Sequence, residues 1–181
     1  MDDRRLVKVS KYLARHLRHA PDRIGLTLDP GGWVAVDDLL AATARHGFRL
    51  TRDELIEVVT RNDKRRYALD ETGGRIRASQ GHSVAVDLGL RPTRPPPVLF
   101  HGTTTYALPV VLHDGLRAMR RHAVHLSGDA GTARRVGARH GRPVVLEVDA
   151  AQMATDGHVF TVSDNGVWLV DAVPAEYLTV R

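Results

Sequence analysis

A proline-rich segment at residues 90–97 (LRPTRPPP) constrains the fold of this chain more than any other feature. Four of its eight residues are proline, which lacks a backbone N–H and disfavours helix interiors and central strands. We therefore predict a linker over residues 91–97, between a lobe at residues 1–90 and a second lobe at residues 98–181. A chain of 181 residues is long enough for two small lobes.

The first lobe carries three helical patterns followed by a hairpin pattern. Apolar residues recur at helical spacing until Pro21, Asp37 is placed to cap a second helix, and the sequence TRDE from Thr51 has the form of a capping box that opens a third. A turn rich in glycine then separates two short β patterns. Three helices and a hairpin predict a winged helix. The elements so predicted are helices over residues 4–19, 37–44 and from 52, an extended segment over 33–36, and hairpin strands over 66–69 and 75–78.

Beyond the proline-rich segment the pattern changes to short β-rich runs with helices between the earlier ones. The sequence SDNG at residues 163–166 separates the last two runs and is a strong hairpin signal. We therefore predict an α+β protein whose second lobe has a small, mostly antiparallel β core. The runs are strands over residues 98–100, 124–126, 143–148, 159–162 and 167–170, with helices over 106–113 and 130–140.

The positive charge is concentrated in the part of the chain before Pro95. The formal net charge is +5, with 18 basic and 13 acidic residues before Pro95 and 8 of each after it. A lobe with this bias attracts polyanions, of which nucleic acid is the commonest in a cell. An arginine-rich composition caused by a GC-rich genome would produce the same bias, so charge alone leaves both explanations open.

Several classes of site and location are excluded by what the sequence lacks. Cysteine is absent, which excludes disulfides, thiolate-ligated metals and thiol nucleophiles. No G-x-G-x-x-G follows a strand pattern, and G-x-x-x-x-G-K-[ST] and H-E-x-x-H do not occur, so we predict no Rossmann, P-loop or metal site. No apolar run could span a membrane, and the first residues lack the apolar core of a secretory signal, which predicts a cytoplasmic protein with no membrane partner.

Four short segments combine basic or imidazole side chains with helix ends, turns or strands. Residues 17–21 (LRHAP) place a cation beside an imidazole at a helix end. Residues 62–67 (NDKRRY) contain three consecutive basic residues at the start of the hairpin. Residues 100–103 (FHGT) end a strand in His-Gly, where a ligand can approach the backbone closely. In residues 120–127 (RRHAVHLS), two arginines precede a strand pattern that contains His125. Each segment also has a structural explanation as a solvated helix end, loop, turn or edge strand.

Together these segments resemble the RNA 2'-phosphotransferase family, also known as tRNA 2'-phosphotransferases, along nearly the whole chain. The resemblance implies an N-terminal winged-helix lobe that binds RNA and a C-terminal ADP-ribosyltransferase-like lobe that binds NAD. The matching stretches are SKYL at 10–13, LRHAP at 17–21, GWV at 32–34, NDK at 62–64 with RY at 66–67, IRASQGHS at 76–83, FHGT at 100–103, GL at 115–116 with Met119 and Arg121, VHLS at 124–127 and NGVW at 165–168.

The resemblance implies a two-step reaction that consumes NAD as a co-substrate. An internal 2'-phosphate of RNA attacks the nicotinamide-bearing ribose carbon, which expels nicotinamide and leaves ADP-ribosylated RNA. A ribose hydroxyl of the ADP-ribose then attacks the phosphorus, which releases RNA with a 2'-hydroxyl and ADP-ribose 1'',2''-cyclic phosphate. The partners so implied are NAD and a tRNA-like RNA that carries a 2'-phosphate, as in tRNA splicing or RNA repair. We expect a monomer and no metal.

The family's catalytic residues carry over to four positions. Its Arg-His pair corresponds to Arg18 and His19, its wing arginine to Arg66, and the arginine before the VHLS strand to Arg121. Because Arg66 and Arg121 each follow another arginine, both assignments have a one-residue alternative. His19 is the candidate general acid for the departing RNA 2'-oxygen, since imidazole can carry a proton near neutrality. The alternative role for His19 is to hydrogen-bond the phosphate.

The family's NAD-binding residues carry over to three stretches of the second lobe. No late strand offers the glutamate that many protein-modifying ADP-ribosyltransferases use, because Glu147 is expected to face solvent. Two other functions remain open, namely an NAD-dependent ADP-ribosyltransferase acting on terminal phosphates of nucleic acid, and a non-enzymatic winged-helix DNA-binding regulator. The positions implied to bind NAD are His101, Gly102, Thr103, His125, Leu126, Ser127, Asn165 and Gly166.

Overall fold

The structure, a computed structural model, describes residues 1–61, 65–119 and 121–181. Over these ranges the chain forms six α-helices and several small antiparallel sheets, which confirms the α+β class. Its residues divide into two units, Met1–Gly89 and Leu90–Arg181. None of the helices in these ranges combines the length and the apolar character needed to cross a bilayer.

The first unit packs three helices around a short three-stranded sheet with the strand order β1-β3-β2. The apolar faces of the helices meet in one core, where Leu13, Leu17, Leu39, Leu55 and Ile76 are fully buried. Burial of each such side chain stabilises the fold by about 1.5–3 kcal/mol. The elements are α1 (Asp3–Arg18), β1 (Val34–Ala35), α2 (Val36–Arg45), α3 (Arg52–Thr60), β2 (Tyr67–Leu69) and β3 (Arg75–Ala78), with a 3₁₀ helix over Pro21–Ile24.

The capping box of α3 is confirmed, but the predicted cap of α2 is wrong. The Thr51 hydroxyl accepts a hydrogen bond from the Glu54 backbone N–H at 3.2 Å, and the Glu54 carboxylate accepts one from the Thr51 N–H at 3.1 Å. By contrast, α2 begins at Val36, so Asp37 lies in its first turn and not at its N-cap. The Val36 N–H donates to the carbonyl of Gly74 at 2.8 Å. The sheet therefore passes directly into the helix and starts it earlier than Asp37.

The second unit is built on one long strand pair. Strands β4 and β7 pair antiparallel over seven residues, β11 pairs with the other edge of β7, and backbone bonds between Phe100 and Ser127 connect β4 with the end of β6. Leu99, Leu126 and Phe160 are among the buried core residues. The elements are β4 (Val98–Thr104), α4 (Leu108–Asp114), β5 (Leu116–Arg117), β6 (Val124–Leu126), α5 (Ala130–Gly137), β7 (Pro143–Asp149), α6 (Ala150–Thr155), β8 (Thr161–Val162), β9 (Trp168–Val170), β10 (Ala172–Val173) and β11 (Leu178–Val180).

One sequence-based expectation for the strands of this unit is corrected by the structure, and two are confirmed. Strand β4 does not end at His101-Gly102 but continues to Thr104, because β7 pairs with it along its whole length. Strand β6 spans Val124–Leu126, which confirms the strand predicted over residues 124–126. The hairpin formed by β8 and β9 is confirmed.

The proline-rich segment lies against the second unit and has defined backbone contacts. The Thr93 N–H donates to the carbonyl of Phe160 at 2.8 Å, and the carbonyl of Pro97 accepts from the Ala151 N–H at 3.1 Å. Pro92 also forms a bridge to Thr161. The segment therefore lies along the edge of this unit, in the extended conformation that proline favours.

Candidate functional site

Within the first unit, the C-terminus of α1 brings Arg18 close to the start of the hairpin. One guanidinium nitrogen of Arg18, Nη2, donates to the backbone carbonyl of Arg66 at 3.4 Å. The other, Nη1, lies over Gly81, where an added Cβ would stand 3.7 Å away. Residues 18 and 66 are 48 positions apart in the chain, so the fold itself creates this proximity. The Arg18 guanidinium therefore lies against the backbone of Arg66, and we refer to these residues and their neighbours as one cluster.

His19 joins this cluster through the loop that follows β3. Its Nδ1 lies 3.0 Å from the hydroxyl of Ser83, while the Ser83 N–H donates to the carbonyl of Arg18 at 2.9 Å. The loop thus closes the C-terminal end of α1 with backbone donors and positions the His19 ring with a side chain. Ser83 lies in a stretch that matches the family, but nothing in its local sequence predicts a bond to a residue 64 positions away.

Ser79 fixes the backbone from which Arg66 extends. Its N–H donates to the carbonyl of Arg66 at 2.9 Å, and its hydroxyl donates to the carbonyl of Arg65 at 2.8 Å. Burial raises the pKa of the neighbouring Tyr67 hydroxyl, against an opposing hydrogen bond to Ser10 and the charges of Arg18 and Arg66. The Tyr67 hydroxyl therefore stays neutral and adds no negative charge beside these arginines. The matching stretch at residues 62–64 lies outside the described residues.

In the second unit, His101 of β4 has a defined tautomer. Its Nδ1 lies 3.1 Å from the backbone carbonyl of His125. Because a carbonyl only accepts, Nδ1 must carry the proton, and the neutral ring then presents Nε2 as an acceptor. Burial lowers the pKa of His101, the bond to His125 raises it, and the charge of Arg121 lowers it further. The ring is therefore suited to accept a hydrogen bond from a hydroxyl group and not to bind an anion.

We expect His101 to make the stability of the protein depend on pH. Because its pKa is lowered by folding, its contribution to stability is complete above the ordinary value of 6.5 and is lost as the pH falls through the lower pKa of the folded state. Urea unfolding near pH 7.5 and near pH 5.5 measures the loss. His101→Gln, which retains an N–H donor but does not titrate, should lose less stability between the two values. An equal loss in both proteins would contradict this assignment.

The two faces of β4 differ: one carries predicted NAD-binding side chains, and the other packs against α5. His101 and Thr103 share the face of the core residue Leu99, because side chains alternate along a strand. Gly102 faces the other way, where a Cβ would stand 1.8 Å from the carbonyl oxygen of Ala133 in α5. The missing side chain of Gly102 is thus explained by helix packing, and close approach of a ligand is not needed to account for it.

The other residues predicted to bind NAD lie along β6 and the turn between β8 and β9. Leu126 is 1% exposed, so its side chain belongs to the core and only its backbone could contact a ligand. The register that pairs Leu126 with Trp168 continues the strands toward Ser127 and that turn. Within the turn, the Ser163 hydroxyl donates to the side-chain oxygen of Asn165 at 2.7 Å. The second unit therefore brings these predicted positions to one end of the same sheet.

Arg121 lies in the exposed segment that precedes β6. Its backbone N–H donates to the carbonyl of Ala118 at 3.0 Å, and its charge reaches His101. The alternative position, Arg120, lies outside the described residues. No group of three or more potential metal ligands occurs in the described parts of the chain. Glu147 pairs with Arg181 at 2.8 Å.

A cavity of about 760 Å³ lies between the proline-rich segment and α6 of the second unit. Its walls include Arg94, Thr155 and His158, together with several prolines and alanines. None of the residues predicted from the sequence to bind phosphate or NAD lines it. The residue chemistry described above therefore locates the candidate site better than cavity size does.

Comparison with known proteins gives consistent matches over nearly the full length. The sequence model for the RNA 2'-phosphotransferase, Tpt1 / KptA family matches residues 4–172. Three similar proteins are each named as a probable RNA 2'-phosphotransferase. The protein from Streptomyces coelicolor is 63% identical over 98% of this chain and 97% of its own. Those from Streptomyces griseus and Trichormus variabilis are 59% and 57% identical, over 100% and 98% of both chains.

Proposed function

The chain belongs to the RNA 2'-phosphotransferase, Tpt1 / KptA family, and from this premise we propose that it removes an internal RNA 2'-phosphate by transferring it to the ADP-ribose part of NAD. Family membership supports an RNA phosphotransferase. The observation that carries the proposal on this chain is the cluster of Arg18, His19 and Arg66, which the fold of the first unit assembles from distant positions.

Two arginines suit the binding of a phosphate that must also react. A planar guanidinium forms paired hydrogen bonds with phosphate oxygens and stays charged at any physiological pH. A phosphate dianion is already nucleophilic, so the first step needs positioning and no general base. We assign this role to Arg18 and Arg66, and we propose Arg121, carried over from the family, as a further phosphate ligand.

NAD is a substrate in this proposal because the reaction consumes it. The second unit offers groups that match its chemistry, since the neutral Nε2 of His101 can accept from a ribose hydroxyl. The hydroxyls of Thr103 and Ser127 and the amide of Asn165 add donors and acceptors for further ribose and pyrophosphate oxygens. His125, Leu126 and Gly166 would contribute through their positions beside these groups, mainly by backbone contact.

In the second step a ribose hydroxyl attacks the phosphorus, and the bond from phosphorus to the RNA 2'-oxygen breaks. The proton released by the attacking hydroxyl balances the proton that the departing 2'-oxygen requires. An alkoxide is a poor leaving group, so a positioned acid is needed at that oxygen. We assign His19 as this acid, because imidazole can carry a proton near neutrality and Ser83 holds its ring through Nδ1 at 3.0 Å.

We expect His19→Ala to form ADP-ribosylated RNA and to accumulate it, because only the second step requires the acid. Gel electrophoresis and mass spectrometry of labelled RNA detect this species. His46→Ala, which removes an exposed histidine of the same unit, serves as the matched control and should complete the reaction. If His19→Ala cannot form the ADP-ribosylated species at all, His19 binds the phosphate and is not the acid.

The test of the proposed function is incubation of the protein with an oligoribonucleotide that carries one internal 2'-phosphate, with and without NAD. Loss of the phosphate together with release of nicotinamide, only when NAD is present, supports the proposal. Parallel oligonucleotides with terminal phosphates measure the alternative transferase activity. Persistence of the internal phosphate in every reaction would reject the proposal and would favour a DNA-binding regulator.

A further inference from the structure

The positive charge of the first unit is concentrated on one helix. Helix α1 contains six arginines and lysines and one aspartate, whereas the rest of residues 1–89 carry ten basic and twelve acidic residues. Helices α2 and α3 together contain two basic and five acidic residues. The excess that attracts a polyanion therefore belongs to α1 alone.

Four of these basic residues form a stripe along the exposed face of α1. Arg4, Lys8, Lys11 and Arg15 follow the spacing of one helix face and are all exposed, whereas the opposite face is buried in the core. The stripe extends about 16 Å along the helix axis. The next position on the same face is Arg18. The stripe therefore leads directly to the proposed phosphate-binding cluster.

The stripe differs from the structural cations around it. Arg5, which lies off the stripe, pairs with Glu54 at 2.8 Å, and Arg61 pairs with Asp3 at 3.1 Å. Among the ion pairs found in the described residues, none involves a member of the stripe. Four exposed cations in a row, which form no ion pair with a carboxylate in the described parts of the chain, repel one another and favour an extended anionic partner.

We propose that the stripe of Arg4, Lys8, Lys11 and Arg15 binds the phosphodiester backbone of the RNA that flanks the 2'-phosphate. The proposal rests on the proposed function, which places the modified nucleotide at Arg18. A row of cations along one helix suits successive phosphates of a single strand, because it follows the backbone without reading the bases. Helix-turn-helix proteins instead read DNA with the second helix of the motif, and here α2 and α3 carry net negative charge.

Binding measurements separate the stripe from the catalytic cluster. The probes are labelled oligoribonucleotides with one internal 2'-phosphate, one a trinucleotide and one of about twelve nucleotides, together with the longer RNA lacking the 2'-phosphate. Fluorescence anisotropy without NAD gives Kd over a range of salt concentrations. The variant is Lys11→Gln with Arg15→Gln. The matched control is Arg45→Gln with Arg52→Gln, which removes the same charge from α2 and α3.

We expect the stripe variant to bind both longer RNAs about tenfold more weakly at low salt. The slope of log K against log salt concentration should become shallower by about 1.4, because two cations are lost and each contributes about 0.7 on a single strand. Affinity for the trinucleotide should fall by clearly less than affinity for the longer RNA, because its few phosphates reach no farther from Arg18 than the Arg15 end of the stripe. Unchanged binding of the longer RNA, an equal loss in the control, or an equal loss for the trinucleotide would overturn the proposal. Because no turnover is measured, these results hold whether or not the 2'-phosphate is removed.

Discussion

Arg18→Ala should lower kcat/KM for RNA with an internal 2'-phosphate by at least about tenfold, because a contact required in the transition state contributes roughly 1.4 kcal/mol or more. The change should leave the free energy of unfolding within about 1 kcal/mol of wild type. The carbonyl of Arg66 that accepts from Arg18 also accepts from the Ser79 N–H at 2.9 Å, so it keeps a partner. Steady-state kinetics and urea unfolding measure the two quantities.

The same loss is expected for Arg66→Ala and Arg121→Ala, which test each remaining phosphate ligand. Arg18→Lys keeps the charge but not the planar fork, so it should recover only part of the activity. Arg45→Ala removes an exposed arginine of α2 and serves as the control with unchanged kinetics. Full activity in all three alanine variants would show that the anion-binding residues lie elsewhere.

Gly102→Ala should destabilise the second unit by about 3 kcal/mol or more, at the upper end of what overpacking costs. The added Cβ would stand 1.8 Å from the carbonyl oxygen of Ala133 and 2.8 Å from the backbone nitrogen of Gly137. Both are backbone atoms of α5, so no side chain can rotate away and the helix must separate from β4. For a unit of this size the transition should fall by roughly 12 °C or more.

Gly128→Ala is the matched control for this prediction, because it lies in the same unit and an added Cβ there would meet nothing within 4 Å. Its stability should stay within about 0.5 kcal/mol of wild type. Differential scanning calorimetry resolves both variants. A normal transition temperature for Gly102→Ala would mean that β4 and α5 are not packed as described, and would restore a ligand as the explanation for the glycine.

The parts of the fold that the sequence predicted are those specified by neighbouring residues. The periodicity of α1, the capping box at Thr51 and the turns of both hairpins all lie within a few positions of the elements that they define. The short strand β11 was not predicted, since it exists only because β7 offers it an edge. The predicted cap at Asp37 failed for a related reason, because a bond to Gly74 decided where α2 begins.

The candidate site shows the same division between local and long-range information. Family resemblance selected Arg18, His19 and Arg66, and the fold brings them together through contacts that span 48 and 64 positions. The supporting serines at positions 79 and 83 could not be identified as partners, because no local pattern links them to a helix so far away. The sequence around Gly102 predicts close approach of a ligand, whereas the glycine packs against residues of α5 some thirty positions later.

The most direct test of the central claim follows the phosphorus atom through the reaction. RNA with one internal 2'-phosphate is incubated with the protein and NAD, and ³¹P NMR with mass spectrometry identifies the product that contains the phosphorus. Our account predicts ADP-ribose 1'',2''-cyclic phosphate, formed in equal amount with nicotinamide and RNA bearing a free 2'-hydroxyl. Release of inorganic phosphate with NAD left intact would contradict it.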